Sequence, residues 1–221
     1  MKNTVTSLLI ILLLTSCSNH LRNYYYDLSS LQESVYYKYE FDKKEALPHF
    51  WKLTGNPNAN TLVTDAFDNT KNQVEHFKEK YTENGSLLIE FTFLEDHDSI
   101  LTNIQSNNVF SWSKNEDYEY KVVTQKESNN ISFSKSREFI GFERIDSMGK
   151  SHKAAKFKSN YTYHDLELNR IYKYWQYDYY TKTHGFVKFE RFYPDGETET
   201  LILTEILSQE EWKKAKTSDT K

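Results

Sequence analysis

The chain has 221 residues, with 28 Lys+Arg against 32 Asp+Glu and a net charge of −4, so it offers no basic field to nucleic acid and that partner class is excluded. It carries 17 Tyr, 14 Phe and 4 Trp but only 6 Gly and 3 Pro. Aromatic side chains suit pleated, half-buried surfaces, so few Gly and Pro argue against disorder and one β-rich domain is expected.

Met1-Lys2-Asn3 is a short positive start, and residues 5–14 form an apolar run about half as long as a membrane-spanning helix requires. It reads as a signal-peptide core rather than an anchor. The run closes on Leu14-Thr15-Ser16-Cys17, which resembles the bacterial lipobox: Leu at −3, small residues at −2 and −1, then Cys. The resemblance implies that residues 1–16 are a signal peptide cut before Cys17, and that Cys17 receives diacylglycerol and a further acyl chain such as palmitate. At about 0.8 kcal/mol per buried methylene, two chains suffice for stable anchoring. Cys17 is the sole cysteine, and lipidation accounts for a thiol that would otherwise be unpaired in an exported chain. The alternative is an ordinary cleaved signal with a free thiol. By analogy with bacterial lipoproteins, Ser18 in place of Asp points to the outer membrane. The lack of an acidic run over residues 18–23 favours the periplasmic face.

Residues 17–33 read as a lipid-attached tether and N-terminal segment, with Tyr24-Tyr25-Tyr26 the first side chains able to dock and a short helix around 29–33. A single domain over 34–216 follows. Residues 35–41 alternate with period two, placing Val35, Tyr37, Tyr39 and Phe41 on one buried face. Residues 50–53 and 61–67 read as strands around the Gly55-Asn56-Pro57-Asn58 turn. In residues 72–81, Val74, Phe77 and Tyr81 have helical spacing, while the odd positions from Gln73 to Tyr81 suit a strand face. Short connections between sequential strands favour the strand.

Residues 86–94 put Leu87, Ile89, Phe91 and Phe93 on one side. Phe110 pairs with Trp112, Tyr118, Tyr120 and Val122 share a face, and Ile131, Phe133 and Phe139 mark a strand running into Gly141-Phe142. Residues 151–159 and 161–166 read as a hairpin around Asn160. The last strands are 171–180, 185–193 and 198–207, with Pro194-Asp195-Gly196-Glu197 as the final turn. These are apolar on both faces: Trp175, Tyr177 and Tyr179 oppose Tyr172, Tyr174 and Tyr180, so both faces are expected to be covered. Ser208-Gln209-Glu210-Glu211 is a capping box opening a short helix that contains Trp212, and residues 217–221 form a disordered tail.

Chemistry-bearing motifs are missing. No two of the 7 His have the i, i+4 spacing of a helical zinc site. Glu95-Asp96-His97-Asp98 lacks the glycine and spacing of a calcium loop, and His164-Asp165 suits a local hydrogen bond better than a catalytic dyad. There is no nucleophile elbow, phosphate loop or dinucleotide fingerprint. An enzyme is not expected, and no cofactor or metal is implied.

With the lipobox, the stretches Phe50-Trp51-Lys52-Leu53, Gly85-Ser86-Leu87-Leu88-Ile89 and Gly185-Phe186-Val187-Lys188 followed by Asp195-Gly196-Glu197 resemble small uncharacterised outer-membrane lipoproteins of Bacteroidota. The strand series also looks like the curved half-barrel of periplasmic lipoprotein carriers and outer-membrane lipoprotein receptors, whose concave face holds acyl chains. The expected fold is mainly β, a large curved antiparallel sheet, open half-barrel or barrel-like, with a short C-terminal helix. The expected function is that of a non-enzymatic, lipid-anchored envelope lipoprotein. It would bind an apolar ligand or an envelope protein on the concave face, with Trp175, Tyr177 and Tyr179 as lining candidates. The alternatives are a structural or interaction lipoprotein without a small ligand, a hydrolase assembled from distant loops, or a carbohydrate-binding module that stacks sugars on Trp and Tyr.

Overall fold

The structure, a computed structural model, describes residues 21–43, 47–95, 98–125 and 130–218, the side chains of 217 and 218 excepted. Two short 3-10 turns, Arg22–Tyr24 and Leu28–Leu31, precede the strands β1 (Val35–Phe41), β2 (His49–Asn56), β3 (Thr61–Phe67), β4 (Gln73–Tyr81), β5 (Gly85–Glu95) and β6 (Asp98–Ser111). There follow β7 (Tyr118–Thr124), β8 (Ile131–Ser147), β9 (Lys150–Asp165), β10 (Arg170–Thr181), β11 (Gly185–Phe192), β12 (Thr198–Leu207) and the helix α1 (Gln209–Ser218).

Each strand pairs antiparallel with the next, and β12 pairs with β1, closing a barrel. The sheet is therefore barrel-like but not an open half-barrel. Closure gives every strand two partners and removes the exposed edges on which other chains could add.

Alternation along each strand sends one parity inward. Tyr161 of β9 stacks on its cross-strand partner Tyr174 of β10 inside the barrel, centroids 4.6 Å apart. Bulges break the parity where the sequence misleads. In β5, Glu79 opposes Leu88 while Lys78 opposes Glu90, so Ile89 is the extra residue. Leu88 and Phe91 accordingly pack in the core, whereas Ile89 is exposed, contrary to the simple alternation.

The expected hairpin at Asn160 is also corrected: β9 runs unbroken through Asn160, which lies between Ser136 and Trp175. The chain turns instead at Met148 and Gly149, whose φ values of 49° and 71° are those of a two-residue turn matched to the sheet twist. Residues 73–81 are strand, not helix.

Residues 21–31 are built into the barrel, with Tyr24, Tyr25 and Tyr26 docked in the core, and residues 17–20 of the segment read as a tether lie outside the described residues. Leu21, Tyr24, Tyr25, Tyr26, Leu28 and Leu31 are all buried in the main core. Two glycines make room for them. A Cβ on Gly185, where φ is +66°, would lie 2.4 Å from the Tyr26 ring, and one on Gly55 would lie 2.5 Å from the Leu28 carbonyl oxygen.

On the outside, α1 lays Trp212 on Tyr36, with rings 4.7 Å apart and nearly parallel, and against Phe50 and Phe67. That contact buries Tyr36 on what reads as the polar face of β1. The capping box forms as the sequence suggests, with Ser208 Oγ donating to Glu211 Oε2 at 2.7 Å and the Ser208 backbone N–H donating to the same oxygen.

Candidate functional site: the barrel interior

The N-terminal segment fills one end of the barrel. The Tyr25 ring packs 4.4 Å from Phe110 and against Tyr81, Trp112 and Tyr180, and its hydroxyl donates to Glu79 at 2.7 Å. Above it, toward the far end, lies a cavity of about 240 Å³. Its walls include Phe77, Phe91 and Phe133, and its charged lining includes Lys135, Arg137 and Arg191. A depression of about 310 Å³ at the far end, walled by Val74, Ile100 and Ile131, shares Phe93 and Tyr163 with it.

Inward-facing charges are the unusual feature, because a charge taken from water is stabilised only by good partners. Asp178 is fully buried and meets both Lys135 Nζ at 3.1 Å and Arg137 Nη2 at 3.2 Å through one oxygen. Ser159 Oγ donates to Asp178 at 2.6 Å, and Gln176 donates to its other oxygen. Burial opposes the Asp178 carboxylate, yet Lys135, Arg137 and these hydrogen bonds hold its pKa below the ordinary carboxylate value. Burial, then the nearby Arg137, brings Lys135 down to about 7.

Arg191 lies over the Tyr174 ring at 4.6 Å, and its Nη1 donates to Glu199 at 2.8 Å. Burial pushes Glu79 up to about 7 despite hydrogen bonds from Ser86 and Tyr25, and it also raises Glu75.

Of the residues expected at a site, Cys17 lies outside the described residues, as do Asp96 and His97 of the acidic cluster. Trp175, Tyr177 and Tyr179 do not line the interior. Their neighbours Tyr174 and Tyr180 do, so alternation turns the three outward. There Trp175 stacks on Phe192 at 4.0 Å, Tyr177 lies beside it at 5.2 Å, and Tyr179 is buried with its hydroxyl donating to Glu190. His164 is hydrogen-bonded to Asn169, not to Asp165. Among the described residues, no three His, Cys, Asp or Glu are grouped to hold a metal ion.

Sequence reasoning passed over Lys135, Arg137, Glu79, Asp178 and Arg191. The signal was present in β8 and β10, where Phe133-x-Lys135-x-Arg137 and Tyr174-x-Gln176-x-Asp178-x-Tyr180 set polar groups on the same parity as buried aromatics.

No family model and no curated relative matches the chain. Solved structures do. A protein of Parabacteroides distasonis ATCC 8503 described as a lipoprotein superposes with a TM-score of 0.52 at 13% identity, covering 80% of this chain and 96% of its own. An exported protein with a YmcC-like fold from Bacteroides fragilis NCTC 9343 gives 0.53 at 13% identity, over 80% and 97%. This chain shares their fold. The hypothetical lipoprotein YmcC of Escherichia coli K12 gives 0.40 at 9% identity, over 93% and 97%. At these identities the likeness concerns architecture, and no residue role comes with it.

Proposed function

We propose that the protein is a non-enzymatic envelope lipoprotein, anchored through acylated Cys17 to the periplasmic face of the outer membrane, whose barrel holds a small apolar ligand. The observation that carries this reading is the divided interior. The N-terminal segment packs into one end, where a depression of about 540 Å³ lined by Tyr25, Tyr26, Asp27 and Lys182 remains, while the interior beyond it keeps an aromatic-walled cavity of about 240 Å³, somewhat below the roughly 300 Å³ at which sites for drug-sized ligands begin.

The anchor also orients the barrel. Leu21 is buried at the end the N-terminal segment fills, and three residues separate it from Cys17, so four Cα–Cα steps give a reach of at most roughly 14 Å. The filled end therefore stands toward the bilayer and the cavity away from it. Mass spectrometry of the native protein extracted from membranes tests both halves of the proposal. An acylated residue 17 with a co-purifying small apolar molecule is expected. A free thiol, or a Cys17→Ser variant that fractionates with membranes as the parent does, overturns the anchor.

A second reading rests on the outer face. The Trp175–Phe192 stack, with Tyr177 beside it and Lys156 and Lys158 over the rings of Tyr177 and Trp175, is a half-exposed aromatic surface suited to an envelope protein partner. On this reading Trp175→Ala, which leaves the interior intact, weakens assembly without changing ligand content.

A further inference from the structure

The interior is graded in polarity along the barrel axis. On β8 the inward series runs from Ile131 at the far end through Phe133 to Lys135 and Arg137, roughly 20 Å of strand from first to last. On β4 and β5 the aromatic groups Phe77, Phe91 and Phe93 face the outer part of the same space. An elongated ligand entering this space meets mainly apolar walls first, with Glu75 among them, and cations last.

The deep end carries an unanswered cation. Among the described residues, Asp178 is the one carboxylate paired with both Lys135 and Arg137, through a single oxygen, while Arg191 has Glu199. Arg137 is 4% exposed and lines the cavity; its Nη1 is buried without a hydrogen-bond partner among the described residues, as is the hydroxyl of Tyr118, whose ring centroid lies 5.7 Å from the guanidinium. Such a donor costs about as much as a lost hydrogen bond to a charged group unless something fills its place. Lys135 Nζ makes one ion pair, to Asp178, and sits 4.7 Å from the Tyr161 ring centroid, which leaves ammonium hydrogens to offer. With Lys135 protonated, two cations against the Asp178 carboxylate leave a single positive charge, which matches a monoanion better than a phosphate dianion. Two further carboxyls are close: Glu75, which lines the cavity and whose pKa burial raises, and Glu79, which burial brings to about 7.

We infer that the cavity is a site for a small aliphatic monocarboxylate, its carboxylate received by Arg137 Nη1 and Lys135 Nζ and its chain lying outward among Phe77, Phe91 and Phe133. This rests on the proposal that the interior holds a ligand, and adds the chemical class.

The test uses the full chain carrying Cys17→Ser, which keeps every described residue, and two probes of similar size, octanoate and neutral 1-octanol. Calorimetric titration is expected to show octanoate binding at least tenfold tighter than octanol. Lys135→Met is expected to remove that preference. Equal affinity of the parent for the two probes overturns the carboxylate assignment and leaves the interior-ligand reading standing. Binding of neither overturns both. Should Lys135→Met fail to fold, the parent's preference still decides, together with the location of octanoate by chemical-shift changes. Shifts at Phe91 and Phe133 support the site, and shifts confined to Trp175 and Phe192 overturn it.

Discussion

Glu79 shows how a single buried carboxyl ties the N-terminal segment to the wall and makes stability depend on pH. It is 2% exposed and accepts hydrogen bonds from Tyr25 and from Ser86, the latter at 2.5 Å. Burial raises its pKa from 4.5 to about 7. Between those values the folded chain keeps a proton that the unfolded chain releases, so the folded state binds more protons and stability falls as pH rises. Lys135, brought down from 10.5 to about 7, acts with the opposite sign. The unfolded chain binds the extra proton from about 7 upward, and stability recovers toward pH 10.

Urea unfolding across this range is therefore expected to show a minimum near pH 7, with an acid-side decline of about 3 kcal/mol from Glu79. Glu79→Gln should flatten the decline between pH 5 and 7 while leaving the alkaline rise in place. An unchanged profile in that variant would assign the pH dependence to other groups.

Among the elements, the N-terminal segment and the strands it meets are fitted to each other through backbone clearance. Gly185 combines a left-handed φ with a Tyr26 ring where its side chain would be, so Gly185→Ala incurs two separate costs. The left-handed backbone contributes about 1 kcal/mol, and the contact with Tyr26 adds to it. Combining Gly185→Ala with Tyr26→Ala is expected to recover the contact part and not the backbone part. Thermal unfolding of the double and both single variants, read as a cycle, separates the two. Strict additivity would mean that Tyr26 and Gly185 do not touch in solution. The β8–β9 hairpin shows the same dependence on backbone freedom, since its turn needs positive φ at both Met148 and Gly149.

For the whole molecule, closure is the decisive event. β1 and β12 are the first and last strands, yet Tyr39 pairs with Leu203 and Phe41 with Leu201, contacts that require most of the chain to be in place. Such non-local pairing is slow to form and, once formed, leaves no edge strand to fray. Amide exchange is therefore expected to protect β1 and β12 as strongly as β4 or β9. Rapid exchange confined to β1 and β12 would indicate a barrel that opens at that seam.

Period-two patterning in the sequence was enough to place most strands, including 61–67 and 198–207, because side-chain alternation is a local property of a strand with one wet face. The capping box at Ser208 and the turn at Gly196, where φ is +90°, are local in the same sense and read correctly. The rest was not legible.

The bulge at Ile89 and the unbroken course of β9 through Asn160 depend on what the partner strand presents, so alternation alone misassigned them. The outward direction of Trp175, Tyr177 and Tyr179 followed from parity around the ring of strands, since both faces of β10 are aromatic and the local pattern is symmetric. Closure, the packing of residues 21–31 into one end, and the meeting of Lys135 and Arg137 of β8 with Asp178 of β10 were decided by tertiary structure alone. Each joins residues far apart in the chain, whose desolvation is tolerable only when all the partners arrive together.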